Sequence, residues 1–448
     1  MKQTEKQKML AEAPIPGLIA RLAVPTIISM LITSFYNMAD TYFVGKIGTS
    51  ATAAVGVVFP LMSVIQALGF FFGHGSGNSV SRKLGAGKGE DAEKLASCGF
   101  YSALACGGLI LIFGIFFLNP LARALGSTET ILPYTEQYLR IVLIGAPYMT
   151  AAMVLNNLLR FQGSAFYAMI GITSGAILNI VLDPIFIFGL GLGIAGAAWA
   201  TILSQLISFI LLWIGMKKAG CIPVKLRNMK YLPETIRAIF GGGLPSLCRQ
   251  GLASLATVAL NLAARSYGDA AIAAMSIVMR ISFFAGATVI GFGQGFQPVC
   301  GFNYGAGNKK RVMEAFWFCV KTAAVVLTVL AVAGFILSPQ LVAVFRKDDI
   351  EVIRTGTLAL RMQCVTLPLT GWIILNNMLF QTIGRTVPAS VLAAARQGIF
   401  FLPAVLILPL LMGITGIQLA QPAADALSFA LALVLNRWLM KKEFCRQV

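Results

Sequence analysis

Apolar residues run in long blocks along this chain, and short polar or glycine-containing turns separate the blocks. A block of about 20 apolar residues matches the reach of an α-helix across a bilayer core. Twelve such spans are predicted, over residues 17–44, 52–80, 94–118, 134–160, 166–189, 194–216, 238–264, 271–300, 314–337, 355–380, 388–411 and 415–438. Several exceed the minimum length, so tilt or extension beyond the hydrocarbon is expected. The pattern predicts an all-α polytopic membrane protein.

Composition agrees. The chain of 448 residues is 57% hydrophobic and 12% charged, against about 25% charged in ordinary soluble domains. Its length therefore does not translate into two or three soluble domains. The net charge of +18 raises nucleic-acid binding, but the basic residues gather in short segments on one side of the predicted spans. That side holds Lys2, Lys6, Lys8, Arg82, Lys83, Lys88, Arg160, Lys217, Lys218, Lys225, Arg227, Lys230, Lys309, Lys310, Arg311, Arg385, Lys441 and Lys442. The other side has few, such as Lys46, Arg123, Arg265, Arg346 and Lys347. This is the positive-inside pattern. It makes the lipid bilayer the expected partner, not nucleic acid, and places both termini in the cytoplasm. The polar start "MKQTEKQKMLAEAPIPG" precedes a full-length span, so the first helix is expected to act as its own insertion signal. The eight cysteines contain no CxxC pair, which argues against a zinc site or disulfide framework.

The chain repeats internally. "LGAGKG" at 84–89 matches "YGAGNK" at 304–309, an offset of 220. The same offset aligns Pro25 with Pro245, Gly48 with Gly268, Gly73 with Gly293, Gly75 with Gly295, Gly193 with Gly413 and Gly196 with Gly416. Each half holds six spans, an even number, so both insert with the same polarity. Such repeats are related by an axis along the membrane normal. The expected units are an N-lobe (1–216), a basic linker (217–237) and a C-lobe (238–448). Paired glycines at the turns fit close packing and tight turns better than phosphate binding, since no strand precedes "GHGSG".

An ionisable side chain at membrane depth costs at least ~2.5 kcal/mol and usually faces a cavity or partner. The first half carries Asp40 and Asp183 in apolar runs. Tyr36 stands one turn before Asp40, and Asn179 one turn before Asp183. Pro184 should disturb the helix beside Asp183. Counting along the spans puts Asp40, Asp183 and Thr201 at one depth, in the outer half of the bilayer. Two carboxylates, an amide and a hydroxyl are hard oxygen ligands suited to Na⁺ or proton exchange. The alternative is a pair of satisfied acids fixing helix packing. At offset 220 Asp40 aligns with Leu260, Asn179 with Ile399, Asp183 with Pro403 and Thr201 with Gln421, so only the first half carries the cluster.

The second half has its own polar set: Arg249, Gln250, Arg396 and Asp425. Asp425 is expected to pair with Arg396 or Arg249, either as a structural ion pair or in gating or substrate contact. Asn37, Gln66, Met153, Asn156, Asn157, Arg249, Met275 and Asn376 are expected to line a central cavity. His74, the single histidine, is expected to bridge helices by hydrogen bonding.

The chain resembles multidrug and toxin extrusion (MATE) transporters, within the multidrug/oligosaccharidyl-lipid/polysaccharide flippase superfamily. The resemblance rests on "YNMADTYFVGKIG", "SRKLGAGK", "LNIVLDPIFIFGLGLGIAGAAWAT" and "YGAGN", and is nearest to the bacterial and archaeal DinF- and MepA-related branch. It implies a V-shaped fold of two six-helix lobes. It implies cation coupling at Asp40, Asn179, Asp183 and Thr201, with Tyr36, Tyr138 and Asn156 beside that site or lining the cavity. It also implies export of amphipathic, often cationic, compounds. The expected function is a multidrug efflux antiporter in a bacterial cell membrane, a monomer needing no cofactor beyond H⁺ or Na⁺. The alternative is a lipid-linked saccharide flippase, which would favour a larger cationic cavity. A membrane enzyme would need a motif such as HExxH or a nucleophile with its base, and neither is present. A non-transporting receptor would not need acids in one half only.

Overall fold

The computed structural model describes residues 3–345 and 349–444. Lys2, Arg346 and Lys347 lie outside the described residues. Every regular element among those described is helical. The short α1 (Gln3–Glu12) leads into α2 (Ile15–Gly45), α3 (Thr49–Gly85) and α4 (Gly89–Phe116). A short α5 (Leu118–Ala124) connects to α6 (Leu132–Phe161), α7 (Ala165–Pro184) and α8 (Gly193–Lys218). The second half repeats this order with α9 (Pro233–Arg265), α10 (Asp269–Gly305), α11 (Lys309–Ile336), the short α12 (Ser338–Phe345), α13 (Ile350–Ile383), the pair α14 (Thr386–Ala394) and α15 (Phe401–Met412), and α16 (Ile414–Leu439). Eleven of the long helices are apolar enough to cross a membrane. The twelfth predicted span is α9, which Arg249, Gln250 and three consecutive glycines make more polar.

The repeat is visible in backbone detail. Gly87 and Gly307 turn the chain at φ +72° and +78°, and Gly193 and Gly413 at +55° and +62°. These left-handed conformations would strain any residue with a Cβ, which explains why glycine recurs at the 220-residue spacing. Close approach between the halves follows the same rule. A Cβ on Gly85 would overlap the Phe302 carbonyl, and one on Gly305 would overlap the Arg82 carbonyl. Swapping the halves converts one contact into the other, as a twofold axis requires.

The halves meet through α2 against α10, α3 against α9, and α3 against α10. These contacts concentrate at the end bearing both termini. There one apolar core runs through both halves, including Leu18, Phe71, Leu155, Phe296, Phe316 and Phe380. At the opposite end the core is split. One cluster, with Val44, Val58, Leu139 and Ile194, belongs to the first half. Another, with Leu260, Met275, Val352 and Val405, belongs to the second. Phe59 on α3 and Val258 on α9 are exposed at this level. The molecule is a V, closed at the termini-bearing end and open at the other.

Candidate functional site

The acid cluster forms inside the first half. Asn179 and Asp183 follow one another on α7, and both are buried, as is Thr201 on α8. The Asn179 amide donates to Asp183 Oδ2 at 3.0 Å and accepts from the Thr201 backbone N–H at 3.2 Å. This orientation is fixed by the hydrogen-bond network, since the reverse would face acceptor with acceptor. Tyr36 and Tyr138 lie beside Thr201. Tyr148 holds α6 to α8 beside it, donating to the Ile202 carbonyl at 2.8 Å. Asp40 lies close enough to Asp183 for their charges to act on one another. Immediately after Asp183, Pro184 ends the α-helical bonding and residues Ile185–Gly189 take a π turn. Such turns recur where a helix is opened at a functional position.

Two oxygens in this cluster are buried without a donor: Asp40 Oδ1 and Asp183 Oδ1. An unsatisfied buried carboxylate oxygen is costly. Both point to chemistry that a monovalent cation or a proton can complete. Two carboxylates with amide and hydroxyl oxygens suit Na⁺. The described residues hold no group of three His, Cys, Asp or Glu side chains placed for a metal ion.

In the second half, Asp425 is buried and pairs with Arg396 Nε at 2.7 Å. Gln421 donates to the same Asp425 oxygen at 2.9 Å. Of the two partners anticipated for Asp425, Arg396 is the one that bonds it. Arg396 sits in the π turn Ala395–Ile399, which swings its side chain toward α16. Arg249 instead reaches Asn377 Oδ1 on α13 at 3.4 Å.

The expected cavity residues separate into different roles. Gln66 accepts from Gln250 at 2.9 Å across the seam between α3 and α9. Met153 packs on Gly69. Asn156 donates to the Ala168 carbonyl, and its counterpart Asn377 donates to Ala389. Both tie a long helix to the next one, at a repeat offset of 221. Asn157 is buried and donates to the Met153 carbonyl. Asn376 is buried against Asn436 at 2.5 Å, and Met275 is buried in the second-half core. These last two hold the C-lobe together and do not line the cleft. Asn37 is exposed on the face of α2 next to Tyr36 and Asp40.

Sequence reasoning missed a buried seam between the halves. Arg160, counted as a surface basic residue, is 3% exposed. It donates to Gln294 across the seam and to Asn157 Oδ1 at 2.8 Å. His74 Nδ1 lies 3.1 Å from Ser246 Oγ, which accepts from Gln381 at 2.8 Å. The expected helix-bridging role of His74 is therefore seen, and the bridge joins the two halves. Arg82 donates to the Thr382 carbonyl at 2.5 Å. The signal was present, because Gln294 and Gln381 are polar residues in apolar runs that need partners.

Known proteins share this architecture. The multidrug export protein MepA of Staphylococcus saprophyticus is 28% identical over 422 residues, covering 94% of this chain and 92% of its own. MepA of Staphylococcus aureus is 28% identical over 433 residues, covering 96% and 95%. An outward-facing structure of a multidrug resistance MATE transporter superposes with a TM-score of 0.91 at 27% identity, covering 97% of each chain. A Pyrococcus furiosus transporter of the MOP superfamily, described as having reverse polarity of its binding pocket, also gives 0.91, at 28% identity over 99% of this chain and 100% of that one. The MatE family model matches twice, at residues 25–185 and 245–406, so its two segments begin at the 220-residue repeat spacing. With most of its length accounted for by those two matches, the chain belongs to the MatE family.

Proposed function

We propose that this chain is a secondary antiporter that exports amphipathic, often cationic, compounds from a bacterial cell in exchange for H⁺ or Na⁺. The observation that carries the reading is the acid cluster of Asp40, Asp183, Asn179 and Thr201, confined to one half of a V-shaped, twofold fold. MepA relatives named as multidrug exporters support the cargo class. The basic, termini-bearing end faces the cytoplasm by the positive-inside pattern, so the open end faces out. Residues 1–216 and 238–448 act as two rocking lobes, joined by 217–237.

The cation enters through the open end and binds the carboxylate pair, with Tyr36 and Tyr138 packed around Thr201. Its charge pulls on Asp40 and rearranges α2, which weakens the hold on the drug. Release outward precedes closure of that end and opening of the cytoplasmic seam. One charge moving down 100 mV supplies ~2.3 kcal/mol, enough for roughly tens-fold accumulation at 1.4 kcal/mol per tenfold.

The test is efflux of an ethidium-type dye from proteoliposomes under separately imposed pH and Na⁺ gradients. Acceleration by one gradient identifies the coupling ion. Dye movement indifferent to both gradients overturns the antiport reading.

A further inference from the structure

We propose that the floor of the cleft holds a binding subsite for an anionic group, a carboxylate or phosphate, carried by the exported molecule, with Arg249 as the contacting residue and Arg160 behind it. This rests on the export reading and deepens it, because the acid cluster in the first half accounts only for cations.

The floor is set by where the seam between α3 and α9 ends. Its outermost side-chain bridge is Gln66 to Gln250, and beyond it Phe59 and Val258 are exposed. Arg249 neighbours Gln250 at that level and is half-buried, so its guanidinium stands at the margin of the opening. One turn deeper on α9, Ser246 meets His74. His74 packs edge-on to Phe161, and Arg160 lies over the same ring, 5.8 Å from its centre. Arg249, His74 and Arg160 thus descend from the cleft floor into the seam.

Among the described residues neither arginine has a carboxylate partner. The ion pairs seen among the described residues join Lys8 to Glu12, Lys83 and Lys94 to Asp91, Arg123 to Glu129, Arg385 to Glu443 and Arg396 to Asp425. The partners of both arginines are neutral amides: Gln294 and Asn157 for Arg160, and Asn377 for Arg249. Amide oxygens satisfy hydrogen bonds but leave two like charges uncompensated at membrane depth, an expensive arrangement. Arg160 Nε is also buried without an acceptor. A guanidinium at the edge of a cleft, with a fork of donors in excess of its acceptors and a second cation behind it, is suited to a carboxylate or phosphate.

The experiment uses the full chain in nanodiscs and two probes, a rhodamine bearing a free benzoate and its methyl ester. Fluorescence anisotropy gives the ratio of their dissociation constants. The wild type is expected to prefer the free acid about tenfold. Arg249→Gln is expected to lose that preference, and Arg249→Lys, which keeps the charge, to retain a preference of at least threefold. Retention in the Lys variant separates loss of charge from misfolding. Equal binding of acid and ester by the wild type, or an unchanged ratio in Arg249→Gln, overturns the subsite while leaving the export reading intact. Failure of the wild type to bind either probe overturns the subsite, while the export reading stands or falls by the dye-efflux test. Repeating the titration with and without phosphatidylglycerol in the nanodisc distinguishes the source of the anion. If the lipid weakens acid binding in the wild type and not in Arg249→Gln, headgroups occupy the subsite. If the lipid has no effect, the anion is a solute's. Both results support an anion subsite at Arg249, but the first overturns its assignment to the exported molecule.

Discussion

Gly85 and Gly305 make mirror contacts at the closed end: each sits on the carbonyl of the residue three places before its counterpart, Phe302 for Gly85 and Arg82 for Gly305. Neither helix can approach so closely with a Cβ in the way. Gly85→Ala and Gly305→Ala are each expected to weaken this end by about 1–3 kcal/mol, the usual cost of overpacking. Labelling of cysteines introduced along the seam should rise in both variants and by similar amounts. A large effect in one and none in the other would contradict the twofold description.

Asp40→Asn and Asp183→Asn are each expected to abolish cation-coupled dye efflux without loss of expression. Each removes one of the two charges of the cluster, whose other members, Asn179 and Thr201, are neutral. Normal exchange in both variants would remove the coupling role from this site.

Within the proposed site, Asn179 would act by orientation. Its amide spans Asp183 and the Thr201 backbone, bonding both. Asn179→Ala leaves the carboxylates in place but unsteered, and losses of such positioning groups run at about 10- to 100-fold in ion affinity. The expected readout is a rightward shift in the ion concentration giving half-maximal efflux, at nearly constant maximal rate. Asn179→Asp, which offers only acceptors, is expected to be worse.

Asp425 is buried and its partner Arg396 half-buried, so removing the arginine strands a buried carboxylate. Arg396→Gln or Asp425→Asn alone should cost about 3–5 kcal/mol of stability, measured as a fall in melting temperature in detergent. Asp425→Arg combined with Arg396→Asp should recover part of the loss. No recovery would mean that the two charges are not coupled.

The spans were legible because the bilayer imposes length: α2, α6 and α8 fall within about two residues of their predicted ends. The acids were legible because a carboxylate in an apolar run is rare, and one turn of helix connects Asp40 to Tyr36 and Asp183 to Asn179. Rotation about the helix axis was not legible. Asn376 and Met275 are expected in the cavity as a polar and a soft residue in apolar runs, yet neighbouring residues on a helix point about 100° apart, and both side chains are buried in the C-lobe interior. Arg160 was misread for a related reason. It ends α6 beside a turn, which resembles a surface position in sequence, but the closed end of the V folds the second half over it.

The repeat carries the acids once. A dimer of two identical lobes would be compelled by its symmetry to duplicate every functional group. A tandem chain is free of that obligation: Leu260 and Pro403 stand where Asp40 and Asp183 have their counterparts. Joining the lobes in one polypeptide therefore permits a division of labour, with the Asp40–Asp183 pair in one half and Arg249, whose partner is the neutral amide Asn377, in the other. It also leaves one Asp40–Asp183 pair per molecule, so under the proposed antiport the number of ions exchanged per turnover would be bounded by what that single pair can hold.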